Sequence, residues 1–220
     1  MRTVKTLDNL SASEPTYLKN RLKEALGNEL PGEHAHRRML PAGRELHPAA
    51  GQKNIIQSSV LILLFPDAGE ISTCLIRRPT GMKNHAGQIA FPGGRFESTD
   101  KDLSQTALRE SFEEIGVESN QVEIIGELTP IYVNVSNFTI NPFIGWCETK
   151  PDFKADDREV DELFIVTMKK LLHPQTYQSK DVITPRGIIY APGYLIDTMF
   201  IWGATAMILT EFNEIYSSAT

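Results

Sequence analysis

An α+β fold built around a mixed sheet is what this sequence predicts, and three observations carry the prediction. Apolar runs of strand length recur from residue 58 to residue 196. One helical pattern interrupts that series near residue 103 and another closes it after residue 204. No stretch repeats and none is of low complexity. Strands interleaved with a few substantial helices are the signature of this class.

The chain has 220 residues, 41% of them hydrophobic and 23% charged, which suits one globular domain with an appendage. We divide it into an N-terminal helix and wrapping arm, 1–57, and a main domain, 58–220. Leu18, Leu22, Ala25 and Leu26 follow a helical period, so residues 13–27 read as a helix with Ser13 as N-cap, Pro15 in the first turn and Gly27 as stop. From Pro31 to Gln57, prolines and glycines alternate and an irregular arm is expected. His34 and His36 within it have no obvious third metal ligand and read as surface histidines.

The main domain opens with two strands, Val60 to Phe65 and Ile71 to Ile76, joined by a turn at Pro66-Asp67-Ala68-Gly69. A short strand, Ile89 to Phe91, ends at Pro92-Gly93-Gly94. A helix follows from Leu103 to Glu114, with Asp102 and Gln105 spaced as a capping box. Val122 to Glu127, Phe138 to Trp146 and Leu163 to Val166 are further strands, and Met168 to Leu172 a short helix. Gly187 to Tyr190 and Tyr194 to Ile196 predict a late hairpin turning at Pro192-Gly193. Ala204 to Tyr216 forms the last helix. Trp202 reads as core packing.

Composition excludes several functions. Lys and Arg number 22 against 28 Asp and Glu, a net charge of −6, which argues against a nucleic-acid binder. The longest apolar run, Val60 to Phe65, is too short for a membrane span, and because Met1 to Thr6 leads into no apolar stretch no signal peptide is expected. Two cysteines, Cys74 and Cys147, offer neither a zinc ribbon nor a disulfide framework, so reduced thiols in a cytoplasmic protein are expected. A homodimer is left open.

Chemistry concentrates between Glu97 and Glu114, where six acidic residues (Glu97, Asp100, Asp102, Glu110, Glu113 and Glu114) face two basic ones, Lys101 and Arg109. On a helical wheel Glu110, Glu113 and Glu114 share an arc of about 100° beside the apolar half formed by Leu103, Ala107, Leu108, Phe112 and Ile115. Glu110 and Glu114, four apart, repel each other near a helix C-terminus that also disfavours anions. A divalent cation would account for that arrangement, and an all-oxygen ligand set points to Mg²⁺ or Mn²⁺. A solvated acidic face is the alternative. Gly93-Gly94 just upstream allows close backbone approach and a carbonyl for the same metal, and Arg109 can orient Glu113 by an ion pair.

At these residues the sequence resembles the Nudix hydrolases, whose box reads Gly, five residues, Glu, seven residues, Arg-Glu-apolar-x-Glu-Glu-x-Gly-apolar. Here Gly94 is followed by five residues, Asp100, eight residues, and then Arg109-Glu110-Ser111-Phe112-Glu113-Glu114-Ile115-Gly116-Val117. Asp100 replaces the first Glu, the spacer is one longer, and polar Ser111 takes an apolar place. Upstream, Leu75, Gly87, Phe91, Pro92, Gly93 and Gly94 match the motif of the coenzyme A pyrophosphatase branch, and His85 to Ala90 is similar to it. Cys74, Ile76, Pro79 and Lys83 depart from it. The long spacer with Asp100 also looks like that branch. The resemblance covers Ser58 to Phe212, and Leu30-Pro31-Gly32-Glu33 and Met39-Leu40-Pro41 are similar to bacterial relatives.

The resemblance implies an α/β/α sandwich, Mg²⁺ or Mn²⁺ held by Glu110, Glu113 and Glu114, and hydrolysis of a nucleotide-like diphosphate; the Gly94 carbonyl is the further candidate ligand. Glu113 and Arg109 then belong to the catalytic group. Glu159 is the candidate for a later carboxylate, as ligand or general base, with Glu162 second. Arg77, Arg78, Lys83 and His85 are candidates for substrate phosphates, although strand alternation lets only one of the two adjacent arginines face the site. A lysine at 83 lacks the bidentate grip of the arginine it replaces. For His85 an ordinary hydrogen-bonded loop histidine is the alternative. Coenzyme A or its thioesters are the substrate implied. ADP-ribose or a dinucleotide is the runner-up, and a non-catalytic nucleotide sensor the reading from another class.

Overall fold

A computed structural model describes residues 13–81, 85–185 and 187–220. The alternation of Leu61, Leu63 and Phe65 with Ile62 and Leu64 decides the architecture. These residues lie on β1 (Ile56–Asp67), whose odd positions enter one core and even positions another. A strand buried on both faces must be covered on both faces, which requires a sandwich.

β1 pairs in parallel with β7 (Phe138–Trp146) from Ile56↔Phe138 to Leu64↔Trp146. It pairs antiparallel with β2 (Glu70–Arg77) only from Leu64↔Thr73 to Asp67↔Glu70, through a tight turn at Ala68 (φ 49°) and Gly69 (φ 84°). Beyond Leu64 the two strands separate. The gap is filled by β3 (Ile89–Ala90) against β2 and β4 (Gly93–Arg95) against β1. The Gly93-Gly94 pair thus belongs to a strand, where a terminating turn was expected. The physical reason is contact: a Cβ on Gly93 would lie 2.2 Å from the Ser59 carbonyl oxygen, so only glycine allows this pairing.

β8 (Glu162–Thr167) occupies the other edge of β2, while β5 (Glu123–Glu127) and β6 (Ile131–Val133) line the far edge of β7. One face of this mixed sheet carries α3 (Leu103–Ile115). The other carries α1 (Ser13–Leu26) and α5 (Ala204–Ala219). Ser13, expected as the N-cap, is the first described residue of α1 and already helical. A short helix, α4 (Met168–Leu171), follows β8.

Two further expectations need correction. The arm is not wholly irregular: α2 (Gly32–Arg37) forms within it, and His36 is buried, with only His34 exposed. Pro192-Gly193 makes no turn. It lies inside β10 (Gly187–Ile196), which pairs with β9 (Tyr177–Thr184) on one edge and β11 (Met199–Trp202) on the other, forming a second sheet. β11 pairing begins only at Gly193↔Trp202, so Pro192 stands beyond its end. A Cβ on Gly193 would come within 2.2 Å of the Ile201 carbonyl, and this glycine serves close packing. The reversal falls at Asp197 (φ 53°).

Candidate active site

α3 is fixed at both ends by its own sequence. Asp102 caps it by accepting from Gln105 N at 2.9 Å, and the Gln105 side chain accepts from Lys101 N at 2.8 Å, one residue earlier than in a capping box. Gly116, at φ 71°, ends it in the left-handed conformation and closes a bond to Phe112 O. Between these ends the buried face is Thr106, Ala107, Ser111, Glu114 and Ile115. Phe112, expected inside, is 48% exposed. Ser111 takes the interior place because its hydroxyl donates to Ala107 O at 2.7 Å, leaving no unpaired polar group.

This rotation turns Glu110 and Glu114 toward β4. The Gly93 N–H donates to Glu114 Oε2 at 2.8 Å, and a Cβ on Gly94 would lie 2.4 Å from the Glu110 carboxyl carbon. Gly94 therefore serves the site by leaving room for that carboxylate. Burial pushes the Glu114 carboxyl up to about 8 against the Gly93 hydrogen bond and the Arg78 charge, with the charges of Glu110 and Glu159 adding to the rise. Burial also raises Glu110, with the charges of Glu113 and Glu159 adding to the rise and Arg109 opposing it.

Arg109 organises the opposite side. Its Nε and Nη2 grip Asp100 at 2.9 and 3.0 Å, Nη1 reaches Glu110 at 3.0 Å and Glu113 at 2.8 Å, and Nη2 also donates to Arg95 O. The paired guanidinium holds Asp100 well below the usual carboxylate range and raises Arg109 in turn. Asp100 is thus the anchor of Arg109 and stands apart from the paired carboxylates.

Glu159 is carried to the box by a segment that hugs the end of α3, where Lys154 N bonds Ile115 O, Asp156 N bonds Glu114 O and Glu159 N bonds Asp156 O. It is solvent-exposed, yet its charge is felt by both Glu110 and Glu114. Glu162 is elsewhere: it pairs with Arg77 at 3.2 Å, whose guanidinium also lies 5.3 Å above the Phe164 ring. Arg78 points the other way, its buried Nε without a protein partner. His85, at φ 58°, sets Nδ1 3.0 Å from Gln88 Oε1, which leaves Nε2 for a ligand, and burial lowers its pKa. Lys83 lies outside the described residues.

A cavity of about 490 Å³ opens beside this group. Arg78, His85, Gly93 and Gly94 form its catalytic end. Leu40, Pro41, Arg44 and Glu45 of the arm, Tyr132 to Ser136 at the end of β6 and in the turn to β7, and Trp202 to Thr205 before and at the start of α5 make its outer walls. Sequence reasoning missed Arg44, Glu45 and Tyr132, which lie in segments without periodicity. Trp202, expected in the core, is half-buried and faces this cavity.

The sequence profile of the NUDIX domain matches residues 56–187. The chain belongs to the Nudix family. Over 148 residues it is 36% identical to the "Uncharacterized Nudix hydrolase NudL" of Yersinia pestis strain Pestoides F, covering 66% of this chain and 72% of that one. The counterpart in Yersinia pseudotuberculosis serotype O:1b gives the same 36% over 148 residues, with the same 66% and 72% coverage. A MutT/nudix family protein from Enterococcus faecalis shares the fold, with a TM-score of 0.52 at 16% identity over 94% of this chain and 75% of that one. The protein is accordingly a Nudix hydrolase, acting on pyrophosphate bonds.

Nudix hydrolases generally use divalent metal ions. Among the described residues no three Asp, Glu, His or Cys side chains are gathered into a ready cluster. Glu113 is drawn to Arg109 and Glu114 to the Gly93 N–H. The donor chemistry nonetheless fits a hard cation, because two half- or fully buried carboxylates with raised pKa meet at a glycine pair that leaves room for them. No helix among the described residues is long and apolar enough to cross a membrane.

Proposed function

We propose that this Nudix hydrolase cleaves the diphosphate of coenzyme A or acyl-coenzyme A, giving 3′,5′-ADP and (acyl-)4′-phosphopantetheine. The observation that supports the reading most is the cavity: a cationic end at Arg78 beside Gly93-Gly94 continues into walls of Val60, Phe91, Val133, Ile140 and Trp202. A nucleotide diphosphate bearing a long, partly apolar arm matches that gradient. The His85–Gly94 segment, similar to the coenzyme A branch, supports it independently.

Glu110, Glu113 and Glu114 would hold Mg²⁺ or Mn²⁺, which when bound neutralises diphosphate oxygens and makes water a stronger nucleophile at neutral pH. Glu159 takes the proton of the attacking water as general base. Water adds to one phosphorus, the bridging P–O bond breaks, and two phosphomonoesters leave. Arg109 holds Glu113 and Glu110 in place, and Arg78 offers positive charge to the substrate phosphates. Cys74 and Cys147, both buried and unpaired, suit the cytoplasm as the place of action.

The test is a panel of coenzyme A, dephospho-coenzyme A, ADP-ribose and a dinucleotide with Mg²⁺ or Mn²⁺. A site built for the 3′-phosphate leaves charge unpaired without it, so kcat/KM for coenzyme A should lead by about tenfold or more, ~1.4 kcal/mol. Equal or faster turnover of ADP-ribose would overturn the coenzyme A reading. Binding without turnover of any substrate would favour a nucleotide sensor.

A further inference from the structure

Glu211 is completely buried, yet it lies far from the catalytic carboxylates in sequence and takes no part in their network. Its Oε1 accepts from Gly32 N at 3.1 Å and from Thr129 Oγ1 at 2.6 Å. Its Oε2 meets His36 Nε2 at 2.7 Å, and Thr129 N lies 3.3 Å from both oxygens. A carboxylate buried this deeply is costly unless several donors converge on it, as they do here. Gly32 fits because a Cβ there would press on Thr129 Oγ1 at 3.2 Å.

The donors come from different elements, and each element continues into a cavity wall. α2 leads within a few residues to Leu40 and Pro41. Thr129 stands three residues before Tyr132, at the start of the Tyr132–Ser136 wall. α5 presents Met207 and Ile208 to the cavity one turn before Glu211. Among the described residues, none of the node's hydrogen bonds involves Gly93, Gly94 or α3. We propose that Glu211 is a positioning residue: its carboxylate locks the arm, the β6–β7 wall and α5 together, and so sets substrate affinity without entering the chemistry. The substrate in this proposal rests on the coenzyme A reading; the locking rests on the node's geometry alone.

The test uses the full chain with Glu211→Gln, which keeps volume, and Thr129→Val, which removes one donor and serves if the first variant does not fold. KM for coenzyme A should rise about tenfold while kcat stays within about twofold, a split that general loss of stability does not produce. Hydrogen exchange of the substrate-free protein should quicken in residues 32–45 and 129–136 and stay unchanged in α3 and β4. A fall in kcat at constant KM, or unaltered exchange in both walls, would overturn the proposal. If the wild type does not turn over coenzyme A, the coenzyme A reading fails, and exchange still decides the node.

Discussion

Gly93 and Gly94 are adjacent and chemically identical, but their surroundings predict opposite consequences for alanine. At Gly93 the added carbon meets backbone, at 2.2 Å from Ser59 O and 2.6 Å from Val60 Cα, at a φ of 153°. Gly93→Ala should therefore lower the melting temperature strongly. At Gly94 the obstacle is the Glu110 carboxylate, which can swing aside. Gly94→Ala should keep a near-native melting temperature and lose most activity, as calorimetry and an assay together would reveal. Glu114 makes a separate prediction. Its carboxyl titrates near 4.5 in the unfolded chain and about 8 in the folded one. Between those values the unfolded chain gives up a proton that the folded protein keeps, so the metal-free protein loses stability as pH rises from 5 to 8, by a few kcal/mol. Glu114→Gln should flatten that decline in chelator-treated samples while reducing turnover by orders of magnitude. An unchanged pH slope would show that burial of Glu114 is not its source.

Among the elements, the segment between β7 and β8 does what no single residue could. Bonds from Lys154 and Asp156 to the last carbonyls of α3 bring Glu159 into electrostatic reach of the box, whereas Glu162, in β8, is committed to Arg77. Glu159→Gln should lower kcat about 10²–10⁴-fold with a smaller change in KM, and Glu162→Gln should do little. The larger loss at Glu162 would move the role there. The same strand geometry sorts the two arginines: Arg77 pairs across to β8, and Arg78, one residue on, turns to the cavity.

For the whole molecule, the cavity is a product of assembly. Its walls come from residues as distant as Leu40 and Ile208, brought together by packing on one core. Trp202 shows the consequence, since β11 turns it toward the cavity and half-covers it. Trp202→Ala should raise KM for coenzyme A several-fold and change kcat little; steady-state kinetics with both free and acylated coenzyme A would check this. An equal loss for short and long substrates in kcat alone would contradict a role in the cavity wall.

Local pattern determined much of this protein. β1, β2, β7, α3 and α5 were legible because buried strands and amphipathic helices write their periods directly into sequence, and the Arg109–Glu114 box was legible because four-residue spacing places Glu110 and Glu114 together. β9 was not, because Tyr177–Thr184 is largely exposed and its polar residues carry no burial pattern. Pro192-Gly193 reads as a turn until β11 lies beside it. His36 reads as a surface residue until Glu211, 175 positions away, is brought to 2.7 Å. Asp100 looks like one more box carboxylate until Arg109 takes both of its oxygens. Each of these depends on a partner supplied by a distant element, and no local sequence period encodes such a partner; tertiary packing alone brings it within reach.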